Sequence, residues 1–132
     1  SLVYNLKPIN MAQANVVQKK ARMGHRDIIK YQIMTHCFMK DIPLSEAGLD
    51  CLTLLAAYGT YNLAEFCNTV VDEKIFKTTQ TVRNFLTQAE NTGLVSKNGT
   101  TKKTVALRDD LKIQTEGNIV LDFKMIYVTE EQ

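Results

Sequence analysis

Thr78-Thr79-Gln80-Thr81-Val82-Arg83-Asn84-Phe85-Leu86-Thr87-Gln88-Ala89-Glu90-Asn91-Thr92-Gly93-Leu94-Val95 is the stretch on which the fold turns. Val82, Phe85, Leu86 and Ala89 recur at the three- and four-residue spacing of one helix face. Thr78 stands where an N-cap hydroxyl is wanted, and Gly93 where a helix end takes a left-handed residue. The spacing therefore predicts a helix from the Thr78 cap to Gly93. With its apolar side inward, it presents Thr79, Gln80, Arg83, Asn84 and Thr87 outward.

Upstream, two more helices are written in the same way. Asn62 and Glu65 form a capping-box pair, opening a helix that carries Leu63, Phe66, Cys67 and Val70 and stops near Lys74. Before it, Ser45 is an N-cap, and Leu49, Leu52, Leu55 and Ala56 make a stripe that ends at Gly59. Downstream lie Leu94-Val95-Ser96-Lys97 and Thr104-Val105-Ala106-Leu107, two short strand patterns around Asn98-Gly99. A strict two-residue turn there sets Val95 against Lys102. Matching apolar positions instead requires a loop from about Asn98 to Lys102, and burial sets register more firmly than turn type.

The ends are less sharply patterned. Residues 2–6 alternate as a short strand, and Asn10 caps a weakly apolar helix expected from Met11 to Met23, where Gly24 stops it. A second helix runs from Asp27 to Met39 with Ile29, Ile33 and Cys37 on one face, and Pro43 ends the region. At the other end Ile119, Leu121, Phe123, Met125 and Tyr127 alternate as a half-buried strand, for which residues 2–6 are one candidate partner. The expected organisation is an N-terminal strand and basic helical extension over 1–43, a central body over 44–108, and a C-terminal strand segment over 109–132 packing on the same core. The fold class is α+β, mainly helical.

Charge is distributed in blocks. Residues 1–40 hold seven Lys/Arg against one acid, 41–76 one against six, 77–108 six against one, and 109–132 two against six. Such alternation implies a polarised surface or blocks that pair with one another. Glu90 is the sole carboxylate from Lys77 to Leu107.

The chemistry these residues exclude is wide. Cys37, Cys51 and Cys67 are odd in number, with no Cys-x-x-Cys pair, so they are read as buried thiols and not as a disulfide frame or metal site. His25 and His36 are the only histidines. His36 and Cys37 are adjacent on a helix and point about 100° apart, a poor nucleophile–base pair. No Gly-rich phosphate loop is present, so neither catalysis nor a cofactor is expected. No apolar run reaches the roughly 18 residues of a membrane span, and no signal-peptide pattern opens the chain, so a cytoplasmic protein without membrane contact is expected.

The order helix, helix, helix, hairpin resembles the winged helix-turn-helix family, particularly MarR- and ArsR-like transcription regulators. The resemblance rests on Asn62 to Phe76, the polar start Thr78-Thr79-Gln80-Thr81, and the exit Leu86 to Val95, which repeats a Leu-x-x-x-Glu-x-x-Gly-Leu-Val pattern. It covers about half the chain. It implies that the third helix enters a DNA major groove while the hairpin, as the wing, touches the backbone. On that footing Arg83 reads guanine, Gln80 and Asn84 read adenine, and Thr79, Thr81 and Thr87 serve phosphate or base. The helix start at Thr78 and Thr79 offers amides to phosphate, and Lys97, Lys102 and Lys103 surround the wing turn. The partner is then double-stranded DNA. The family's helical dimer ends and metal clusters have no counterpart here, so its oligomeric mode and effectors do not transfer.

A second reading is a non-catalytic assembly protein in a homo-oligomer or larger assembly, with the helices as a protein-contact module and the terminal strands adding to neighbouring sheets. Residues Ile113 to Lys124 are similar to small proteins of tailed bacteriophages, which implies a virion component.

Overall fold

The computed structural model of the chain describes residues 13–21, 24–99, 101–117 and 121–129. In chain order the elements are β1 (Gln13–Ala21), α1 (His25–Met39), α2 (Glu46–Tyr58), β2 (Tyr61–Asn62), α3 (Leu63–Asp72), α4 (Thr79–Asn91), β3 (Val95–Asn98), β4 (Thr104–Leu107) and β5 (Leu121–Thr129), with a 3-10 turn at Asp109–Leu111. The chain is α+β and mainly helical. It divides into two compact units, one containing β1 and β5 and the other Gly24–Gly117.

The first unit corrects one expectation. Gln13–Ala21 is a strand, not the middle of a helix from Met11 to Met23. Its apolar stripe (Ala14, Val17, Ala21) is thin for a helix, and Val16-Val17 suits extended backbone, so a distant partner decides the matter. That partner is β5, antiparallel, from Gln13 opposite Thr129 to Ala21 opposite Leu121. The C-terminal strand is thus present, and it pairs with β1. The strand expected over residues 2–6 lies outside the described residues.

The helical unit is built on well-marked ends. Ser45, Asn62 and Thr78 all cap as their sequence positions predict, accepting from the amides of Gly48, Glu65 and Thr81. Among the described residues only the cap half of the Asn62–Glu65 box forms, at 3.0 Å. Three helices close with the same double hydrogen bond at the C-terminus. Leu94 N–H reaches Ala89 O and Gly93 N–H reaches Glu90 O, with Gly93 at φ 80°. The same pair of bonds recurs after α1 through Asp41 and Ile42, and after α3 through Lys74 and Ile75. In each case the residue following the left-handed one is apolar (Ile42, Ile75, Leu94) and packs with the core, which offsets the left-handed backbone of Asp41 and Lys74.

α2 is the central helix. Leu49, Cys51, Leu52, Leu54, Leu55 and Ala56 are all buried, so it is covered on more sides than a single stripe predicts. Thr53 is buried among them and donates its hydroxyl to Leu49 O at 2.8 Å. α1 lays Ile29, Ile33 and Cys37 into the same core. The 1–43/44–108 boundary therefore cuts through one packed body, and α1 belongs to the helical unit. Lys30 reaches Asp50 at 2.9 Å and Glu46 at 3.7 Å, tying α1 to α2 and pairing a basic block with an acidic one.

The sheet of this unit has the order β2-β4-β3. Val95 lies opposite Leu107 and Asn98 opposite Thr104, so the longer loop that matching apolar positions requires is present, shifted by one residue from the expected 98–102. β2 is two residues long and leaves no strand signal in the sequence. Its pairing of Tyr61 with Val105, and the Leu63 amide bonded to Lys103 O at 2.7 Å, fasten the start of α3 to the base of the hairpin loop.

Candidate nucleic-acid interface

α4 buries Val82, Leu86 and Ala89. At about 100° per residue, the direction opposite that core is held by Gln80, Asn84, Gln88 and Asn91, all exposed. These four carboxamides form an uncharged row along the outer surface of the helix. Gln80 Nε2 donates to Asn84 Oδ1 at 2.9 Å, which orients the first two members. Gln80 and Asn84 are expected from the sequence. Gln88 and Asn91 are not, although they continue the same i, i+4, i+8, i+11 spacing.

Arg83 stands about 90° round the helix from the middle of that row, on the hairpin side. With the hairpin loop residues Thr101, Lys102 and Lys103 and the α3 start at Asn62, Leu63 and Ala64, it lines an open groove of about 430 Å³. Arg83, Lys102 and Lys103 are all exposed, so three cations converge on one depression. Lys102 is held there by a left-handed backbone (φ 54°) and its amide bond to Gly99 O at 3.2 Å.

The remaining expected residues divide. Thr78, Thr79 and Thr81 are exposed at the α4 start. Thr78 Oγ1 accepts the Thr81 amide at 3.1 Å and lies 2.8 Å from the Thr81 hydroxyl, so that part of the start is capped internally. Thr87 donates its hydroxyl to Arg83 O at 3.0 Å. Lys97 is placed differently from a wing-tip lysine. Its side chain is 12% exposed, its amine donates to Thr87 Oγ1 at 3.1 Å, and it lies 3.9 Å from Glu90. The one carboxylate of the basic block is thereby neutralised within the fold, leaving Arg83, Lys102 and Lys103 as outward charge at the groove.

Other chemistry has little to work with in the described residues. No group of three His, Cys, Asp or Glu side chains among them converges as a metal site. Burial pushes the Cys51 thiol up to about 12, with Cys67 nearby adding to the effect. Burial also raises Cys37 and Cys67, the latter against a downward pull from Arg83 and Lys97. None of the three is poised as a nucleophile. His25 bonds through Nε2 to Thr115 O, beside a reciprocal pair in which the Gln32 carboxamide binds both Gln114 backbone groups at 2.8 and 2.9 Å. These bonds strap the end of the helical unit to α1. No helix is long and apolar enough to cross a membrane among the described residues.

Compared with family models, curated proteins and solved structures, the chain matches none.

Proposed function

We propose that the helical unit is a winged helix-turn-helix that binds double-stranded DNA, with α4 against the major groove and the β3–β4 hairpin as a wing on the backbone. The observation that carries this is the convergence of Arg83, Lys102 and Lys103 on one groove beside an exposed, acid-free face of α4. Cations gathered there meet phosphates and release counterions. A carboxamide row of helical pitch fits a groove about 12 Å wide whose base edges carry paired donors and acceptors. Bound at one site, such a protein acts as a transcription regulator in the cytoplasm.

The test is binding of the full chain to a fluorescent duplex pool, each member about three helical turns long, across a salt series. Affinity falls linearly in log–log form, with a slope of about −0.9 for each phosphate neutralised. Lys102→Ala with Lys103→Ala lowers the magnitude of that slope by about two. Absence of binding at low salt sinks the proposal.

A second reading, self-assembly, is favoured by α1. Phe38 is 82% exposed, Met39 74% and Met34 48%, an apolar patch on a helix end that water does not favour. Sedimentation of the chain and of Phe38→Ser decides it: a mass that rises with concentration, and falls with the substitution, marks α1 as a contact between copies.

A further inference from the structure

We infer that α4 separates two tasks, so that Arg83 grips the DNA backbone and the carboxamide row reads bases, giving a preference for A·T pairs. This inference rests on the DNA-binding reading above and departs from the expectation that Arg83 reads guanine. Its basis is the juxtaposition around α4. Arg83 shares its groove with Lys102 and Lys103 on the hairpin side, while the direction away from the core holds the uncharged Gln80, Asn84, Gln88 and Asn91, with Thr87 beside them.

A guanidinium among two ammonium groups is repelled unless an anion lies between them. A phosphate supplies that anion; the N7 and O6 of guanine carry only partial charge. The groove thus suits a backbone phosphate, and one phosphate there neutralises charge from both helix and wing. The outward row, in contrast, holds no charge. A carboxamide offers one donor and one acceptor side by side, the complement of adenine N7 and N6, and pairs with it bidentately. The 2.9 Å bond from Gln80 to Asn84 orients the two planes and still leaves Gln80 its oxygen and one amide hydrogen, and Asn84 both amide hydrogens and one oxygen lone pair, to be satisfied by bases.

The discriminating substitution is Arg83→Lys beside Arg83→Ala, measured on the full chain against a randomised duplex pool and an enriched site. A backbone contact needs the charge, so lysine restores most of the affinity that alanine loses. A guanine contact needs the planar fork, so lysine does not restore it. Arg83→Ala is expected to weaken all duplexes by one common factor and lower the salt slope by about one. Asn84→Ala is expected to leave the slope unchanged and cut discrimination at one adenine by roughly five- to a hundredfold. Both positions are exposed, and unchanged melting temperatures verify that the variants fold. Loss confined to a guanine position, unrelieved by lysine, overturns the inference while leaving DNA binding standing. No salt-dependent binding by the unsubstituted chain overturns both.

Discussion

Single side chains here are governed by what lies beside them more than by their type. Lys97 and Lys102 flank the same hairpin turn, yet one is folded against Thr87 and Glu90 and the other is exposed at the groove. No local pattern distinguishes the two, because the difference lies in the α4 residues upstream that Lys97 meets. Cys51 is a case in which burial dominates. Its thiol titrates near 12 in the fold and near the ordinary 9.0 when unfolded. The folded value is raised, so the contribution to stability is complete below about 9 and is lost as pH climbs from 9 towards 12. Between about pH 7 and about pH 10 the wild-type chain should therefore lose about 1.4 kcal/mol more than Cys51→Ala, read from urea unfolding at the two pH values. Equal losses would show that Cys51 ionises no differently in the two states. The same burial predicts that thiol reagents modify Cys51 only as fast as the fold opens.

At the scale of elements, ends are more legible than middles. Ser45, Asn62, Thr78 and Gly93 each sit where a helix must satisfy free amides or carbonyls, and these local demands are written in one or two residues. The hairpin register follows from burial of Val95, Val105 and Leu107. β1 escapes a sequence reading because residues 13–21 have no decisive period, and their partner strand lies at the far end of the chain. β2 escapes it because two residues carry no pattern. Crossing geometry is also hidden, and Gly48 decides it. A Cβ there would lie 2.5 Å from Phe85 Cε1 and 3.2 Å from Leu44 Cδ1, so only glycine lets the Phe85 ring of α4 lie this close to the α2 backbone. Phe85 is itself packed on Phe76, with ring centroids 5.6 Å apart, and is not free to yield. Gly48→Ala gains about 1 kcal/mol of helix propensity but overpacks the crossing by about 1–3 kcal/mol. The net effect should be destabilising by about 1 kcal/mol, and replacing the ring with Phe85→Leu should recover part of it. Thermal or urea unfolding of the single and double variants reads both effects. A stabilised Gly48→Ala would mean that the ring moves aside at no cost.

For the whole molecule, the charge blocks of the sequence resolve into two fates. Part of the alternation is internal pairing, as when Lys30 of the basic start meets Asp50 and Glu46 of the acidic stretch. The second basic block instead loses its only carboxylate to Lys97 and keeps three cations at one groove. Composition cannot distinguish these fates, whereas the fold does. Division into two units also predicts that residues 24–117 alone unfold in a single transition and keep the DNA affinity of the full chain to within about a factor of three, since forfeiting even one phosphate partner would cost more than that. A larger loss would assign binding to the β1–β5 unit as well. Whether one face of the helical unit meets DNA is read from a titration of the isotope-labelled chain with a short duplex, followed by amide resonances. Binding through this face predicts shifts concentrated on Thr79–Asn91 and on the hairpin loop at Thr101–Lys103, diminishing with added salt. Shifts confined to the α1 patch around Met34 and Phe38, or none at low salt, would contradict it.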